Sequence, residues 1–480
     1  MKNRLRQQLL EIVDAVLDGV RQCVHLESGS TRRMVSEIAE ALPLFGEPEI
    51  APHAEAVAAS LTRLVDGTGD AVEAVARVRE LKAALQAVET TYTVVFLPYN
   101  AAMWDSLHTI WQAADADPRC EAIVVPIPFA ELTPERTLKE WRLHDKDFPA
   151  GVPVVDHTTF DLAAVHPDVV YVHNPYDGFN TVTSVHPDYY SDVLAKHCEL
   201  LVYVPYWVSQ APMKEHFDEH PSFANFDKVI YQSEEFAQRA IGLWSSNKIV
   251  PLGSPKLDYV RTTGGAIPPA WADKMAGRTT LLALTSITNL LSEREGMVEK
   301  LNDVLDAVQR NEDLTLWWRP HPLEQATIDS MLPELRRGYE ALRSRARGMS
   351  RVIVDTSMDL QRAIHAADAY FGHSSSVIGL FGATGKPIII MTAVLATDVV
   401  RGEQRADDWV PPDAAEPELM RFARPEWLHH EGAFTYLRRK VTENGGIVPG
   451  QQEYFTRLSA HSDGTAGAHV HAYITSCLEA

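Results

Sequence analysis

From Thr91 onward the chain alternates short apolar runs with helical stretches, and it does so twice, which leaves few folds open to it. Strand-length runs fall at Thr93 to Leu97, Ala122 to Ile127, Val169 to His173, Leu200 to Val204, Lys228 to Tyr231 and Ile249 to Leu252. A second series occupies Thr280 to Leu284, Leu314 to Trp318, Arg351 to Val354, Ala369 to Phe371 and Pro387 to Met391. Apolar strands linked through helices predict parallel sheets covered on both faces. The expected organisation is a helical unit over 1–90, a first Rossmann-like unit over 91–253, a Pro/Gly-rich connection over 254–278 and a second Rossmann-like unit over 279–400. A helical region over 401–480 then packs across both.

Two segments of the second series end in groups suited to phosphate. The run Leu314 to Trp318 stops at Arg319, Pro320 breaks the strand ladder, and His321 follows at the carboxyl edge, where open α/β sheets bind ligands. The run Ala369 to Phe371 leads into His373, Ser374, Ser375 and Ser376 ahead of a helix, whose first turn offers unpaired N–H groups. Each segment alone also reads as a plain strand exit or helix cap. Together, on one sheet edge, they point to a pyrophosphate site, with Lys256 and Lys386 as further cations.

Composition narrows the partners. A formal charge of -21 excludes a nucleic-acid binder that works by broad attraction. Cys23, Cys120, Cys198 and Cys477 form no Cys-x-x-Cys pair, and the basic start of the chain runs into Glu11, Asp14 and Asp18, so the expected setting is a reducing cytoplasm without a signal peptide. Lys2, Arg4 and Arg6 at the head of the first helix would allow peripheral contact with an anionic bilayer, although the acidic residues behind them favour packing on neighbouring helices. Oligomeric state is left open, a homo-oligomer included.

Four segments in order resemble the CDP-glycerol glycerophosphotransferase family, the teichoic-acid-type enzymes of the GT-B fold: Val229 to Phe236, Gly253-Ser254-Pro255-Lys256-Leu257-Asp258, Arg319-Pro320-His321-Pro322, and Ala367 to Ser376 with Gly385-Lys386-Pro387. The resemblance implies two Rossmann-like domains facing a cleft. It also implies transfer of glycerol phosphate from CDP-glycerol, or a related nucleotide donor, to a hydroxyl of a glycan, teichoic-acid-like or lipid-linked acceptor, with release of CMP and with no cofactor or metal. On it, Arg319, His321, Ser375 and Ser376 hold the diphosphate, helped by His373 and Ser374, while Gly253 allows close backbone approach and Lys256 adds charge. A GT-B glycosyltransferase with a nucleotide-sugar donor, and a non-catalytic nucleotide binder, are the other readings.

The chain departs from the family where the first domain should carry Trp-His-Gly, because Val204-Pro205-Tyr206-Trp207-Val208 has no histidine. His173 and Asp177, just past a strand of the first unit, are the substitute candidates for the catalytic base.

Overall fold

The computed structural model describes residues 1–22, 29–41, 47–133, 135–180, 183–209, 219–262, 264–357, 359–373, 375, 377–391, 421–423, 432–447, 453–454 and 457–479. The first half contains β1 (Tyr92–Leu97), β2 (Cys120–Val124), β3 (Phe129–Leu132), β4 (Leu138–Arg142), β5 (Val169–Val172), β6 (Thr183–Val185), β7 (Leu200–Tyr203), β8 (Lys228–Ile230) and β9 (Ile249–Val250). The second contains β10 (Thr279–Leu284), β11 (Leu314–Arg319), β12 (Val352–Val354), β13 (Ala369–Gly372), β14 (Ile388–Met391) and β15 (Arg421–Ala423). They form two six-stranded sheets, in the orders β2-β1-β5-β7-β8-β9 and β12-β11-β10-β13-β14-β15. Every pairing within them is parallel.

Alternation along the strands feeds two cores per sheet. Val95 and Leu97 of β1 join one buried cluster, and Val94 and Phe96 the other. Trp317 and Trp318, expected on opposite strand faces, do the same in β11: Trp317 packs with Ile353, Tyr370 and Phe381, Trp318 with Leu301, Leu316 and Tyr339. Both indole N–H groups are satisfied inside, by Asp355 Oδ2 at 3.0 Å and Thr285 Oγ1 at 3.3 Å.

The sheets are built on one repeated plan. In the first half, Thr93 N–H of β1 donates to Asp168, which opens the neighbouring strand, at 2.7 Å, and Asp168 N–H returns to Thr93 O at 2.9 Å. In the second half, Thr280 N–H donates to Asp368 at 2.8 Å and Asp368 N–H returns to Thr280 O at 2.9 Å. The registers match, Val94 facing Val169 and Leu281 facing Ala369. Five residues beyond each aspartate stands a histidine, His173 in one half and His373 in the other.

The helices Asn3–Gln22, Gly29–Ala41, Ala51–Val65 and Ala71–Ala87 share a core that includes Val13, Val20, Val57, Leu61, Val78 and Leu81. The basic head of the first helix is used internally: Lys2 pairs with Glu121, and Asn3 Nδ2 donates to Asp168 at 2.8 Å. Among the described residues no helix is long and apolar enough to cross a membrane.

Three features differ from the sequence reading. An antiparallel sheet, β4-β3-β6, flanks the first half; its strands are short, and β4 is exposed throughout, so it lacks the apolar signature of a core strand. The passage 254–278 carries the helices Pro255–Thr262 and Pro269–Met275, each opened by a proline at its first position, where the missing N–H costs nothing. β15 adds an edge strand from within the C-terminal region. The helix Ala466–Glu479 lies on the first half, where Val470 and Ile474 join Phe96, Trp104 and Trp111.

Candidate functional site

In each sheet the chain runs outward from its first strand, β1 or β10, on one side, then crosses to the other. This makes a topological switch point between β1 and β5 and another between β10 and β13. The two histidines of the repeat sit there, each at the carboxyl end of its strand.

His173 is fully buried. Its Nε2 accepts Tyr99 N–H at 3.2 Å, so the neutral ring carries its proton on Nδ1, which faces Ser106 Oγ at 3.2 Å; that hydroxyl donates onward to Met103 O at 2.8 Å. Burial drives its pKa down to about 3. Both nitrogens are therefore engaged within the protein, and neither faces a cleft as a base requires. Asp177 is also turned inward: its carboxylate accepts Ser191 N–H at 2.9 Å and Ser191 Oγ–H at 2.6 Å, and burial raises its pKa.

His373 occupies the equivalent place with the opposite tautomer. Its Nδ1 accepts Ser286 N–H at 3.1 Å, which puts the proton on Nε2. That Nε2 is buried and has no hydrogen-bond partner among the described residues. Burial, assisted by the nearby Lys300 ammonium, lowers its pKa to about 3, so the group is a neutral donor. Lys300 is itself held by Glu293 at 2.6 Å.

On the far side of β10, after β11, His321 repeats the device. Its Nδ1 accepts Leu323 N–H at 3.2 Å, fixing the proton on Nε2, and the ring is solvent-exposed. Buried Glu324 holds this turn by accepting His321 N–H at 3.0 Å and the Tyr339 hydroxyl. The carboxyl edge around β10 thus presents two imidazoles oriented through backbone amides, each with its Nε2–H directed away from the bond that fixes it.

The cations expected at this edge have other partners. Arg319 pairs with Asp355 and donates to Ser357 O at 2.7 Å and Asp359 O at 3.0 Å, pinning the loop after β12. Lys256 meets both oxygens of Asp105 at 2.6 Å, and Gln361 donates to the same carboxylate at 2.8 Å, so the group ties the two halves together. Lys386 donates to His365 O at 2.8 Å and Ala367 O at 2.6 Å. Gly253, with φ +102°, is required for a reason other than phosphate approach: a Cβ there would lie 2.1 Å from Ala460 O. Ser375 bonds the Tyr370 phenol. Ser374 and Ser376 lie outside the described residues.

Ser286, Glu324 and Asp355 escaped the sequence reading, and Asp105, read there as an acceptor contact, is the partner of Lys256. The repeat was the available signal, since Asp168-Val-Val-Tyr-Val-His173 and Asp368-Ala-Tyr-Phe-Gly-His373 share their spacing. One His/Cys/Asp group among the described residues has metal-like spacing: Asp117, Cys120 and His471, with ligand atoms within 4.8 Å. Asp117 is already bound by Arg119 at 2.8 Å and His471 at 3.1 Å, which makes it an ion-pair anchor for the last helix.

No family model matches the sequence, and no curated protein does. Solved structures do match. A Listeria monocytogenes protein assigned as a UDP-N-acetylglucosamine 2-epimerase aligns over 81% of this chain and 97% of its own, at 14% identity and TM-score 0.50. The wall teichoic acid polymerase TagF aligns over 89% and 98%, at 12% identity and TM-score 0.47. The Neisseria meningitidis UDP-GlcNAc 2-epimerase bound to UDP-GlcNAc aligns over 80% and 100%, at 8% identity and TM-score 0.46. With the two parallel sheets and their repeated switch points, the first of these likenesses establishes the fold as GT-B-like α/β: two Rossmann-like, doubly wound units preceded by helices.

Proposed function

We propose that the chain is a transferase that moves glycerol phosphate from CDP-glycerol, or a related CDP-alditol, to a hydroxyl of a glycan acceptor, releasing CMP. In this reading the unit 279–400 binds the nucleotide donor and the unit 91–253 receives the acceptor. The observation that supports it is the imidazole pair His321 and His373 at the carboxyl edge of the second sheet, each with Nδ1 engaged by a backbone amide and Nε2–H left as a donor, on an exposed residue at His321 and a buried one at His373. The acceptor oxygen forms a bond to the glycerol-bearing phosphorus, the bond from that phosphorus to the CMP oxygen breaks, and the acceptor proton passes to a base or to water. CMP is a weakly basic leaving group, so alignment and charge stabilisation matter more than acid catalysis. Neutral N–H donors fit that need, because they stabilise developing charge on the leaving phosphate without proton transfer.

His173 and Asp177 are read here as positioning groups. They hold the loops after β1 and β5 while their lone pairs stay engaged. A nucleotide-sugar donor is the second reading, favoured by the fact that N–H donors of this kind suit any diphosphate and none is specific for glycerol. Turnover of CDP-glycerol, CDP-ribitol and UDP-N-acetylglucosamine, followed by nucleotide release, decides between them. CMP release from CDP-glycerol is expected, and turnover of the UDP-sugar alone would overturn the proposal. Binding of CMP without turnover of any donor would favour a non-catalytic nucleotide binder.

A further inference from the structure

A pocket of about 360 Å³ opens beside the first half, starting four residues past His173. Asp177, Phe179, Tyr190, Asp192 and Asn225 are among the residues that line it. Asp177 adopts φ +47°, an uncommon backbone state for a residue other than glycine, and is locked there by Ser191, which Asn225 Nδ2 also holds at 2.8 Å. Two residues on, Phe179 is 59% exposed, with His220 at about a right angle to its ring, 5.2 Å between centroids. An open aromatic face held rigid by a neighbour, beside carboxylate and amide groups, is a surface suited to a ligand with one apolar face and a rim of hydroxyls.

We propose that this pocket is the acceptor subsite and that it takes an uncharged sugar ring, not a phosphate-bearing chain. The inference rests on the transferase reading above and adds the acceptor's class. Phe179 would stack on the C–H face of the ring, while Asp192 and Asn225 exchange hydrogen bonds with its hydroxyls. Charge selects against the alternative: Asp177 and Asp192 are the charged residues among its described lining residues, and the cation paired with Asp192, Lys196 at 3.9 Å, lies outside that lining. A polyanionic acceptor would meet repulsion from these carboxylates at short range.

The test is calorimetric titration of the full chain with maltotriose, chitobiose and a glycerol phosphate oligomer. A neutral sugar should bind, Phe179→Ala should weaken it at least tenfold, Phe179→Tyr should restore it, and Asp192→Asn should also weaken it. Tighter binding of the glycerol phosphate oligomer, no binding of either neutral sugar, or affinity unchanged by Phe179→Ala would overturn the proposal. CMP titration of the same variants separates the two claims. Loss of CMP binding by the parent chain would sink the donor reading, whereas CMP binding intact in Phe179→Ala with sugar binding lost supports the pocket as a distinct subsite.

Discussion

At the residue scale, the proposed donor contact and the stability of the fold both rest on which ring nitrogen a backbone amide has engaged. Removing a donor that contacts a charged phosphate costs about 1.5–3 kcal/mol, or roughly ten- to a hundredfold in affinity or rate. His321→Ala and His373→Ala should each lower CMP release from CDP-glycerol by about that factor; equal rates in the parent and both variants would remove the imidazole pair from the site. The same burial that keeps His173 and His373 neutral makes the fold sensitive to acid. The unfolded chain protonates both near the ordinary value of about 6.5, the folded chain only near 3. Stability is therefore complete above about pH 6.5 and falls on acidification, by at most about 1.4 kcal/mol per pH unit for each group. Asp258, raised by burial to about 6, acts in the opposite direction between its unfolded value and pH 6, so the comparison needs a variant. The urea midpoint should fall from pH 7 to pH 5 in the parent and fall less in His173→Gln, whose amide oxygen can still accept Tyr99 N–H; identical slopes would contradict the assignment.

At the scale of elements, the helix Pro255–Thr262 and the turn after β1 are joined by the Lys256–Asp105 pair, whose side chains are 12% and 9% exposed. Breaking such a buried pair costs about 3–5 kcal/mol, because the remaining charge is stranded, while replacing both partners with apolar groups is close to neutral. Asp105→Leu should lower the urea midpoint sharply, and Asp105→Leu with Lys256→Met should recover most of it. The double variant also separates two roles for Lys256: retained CMP affinity fits a structural tie, and lost affinity restores the phosphate contact read from the sequence. This element shows where sequence reasoning stopped. The strands of both sheets were legible, because burial on both faces leaves a continuous apolar run such as Leu314 to Trp318. His321 and His373 were legible as strand-exit groups. The partners of Arg319, Lys256 and Lys386 were not, since Asp355, Asp105 and the carbonyls of His365 and Ala367 come from separate elements that only tertiary packing brings near. Gly253 was noticed for the right property and given the wrong neighbour: its missing Cβ admits the Ala460 carbonyl, over two hundred residues away.

At the scale of the whole molecule, that distant contact belongs to a return of the chain across both halves. The Gln232 side-chain amide Nε2 donates to Leu458 O at 3.2 Å and Ser254 N–H to Ser459 Oγ at 3.0 Å, and the helix Ala466–Glu479 then settles on the first half. Its entry depends on Gly467, whose N–H donates to Asp258 at 2.6 Å. A Cβ at this position would stand 2.3 Å from Thr109 Oγ1 and 2.6 Å from the Thr109 carbonyl carbon, and that second neighbour is backbone inside a helix, which cannot rotate away. Gly467→Val must therefore displace one helix from the other. The displacement would open the cluster in which Val470 and Ile474 meet Phe96 and Trp104, and weaken the bond to Asp258. Overpacking of this kind costs about 1–3 kcal/mol. The loss should be local before it is global, because the four N-terminal helices have a core of their own and the second sheet keeps both of its clusters. Limited proteolysis of Gly467→Val should cleave first within 457–479, at a urea concentration where the parent is intact, with CMP binding preserved until the sheets unfold. Simultaneous loss of the last helix and of CMP binding would instead mean that the returning segment holds the two halves in register as a single cooperative unit.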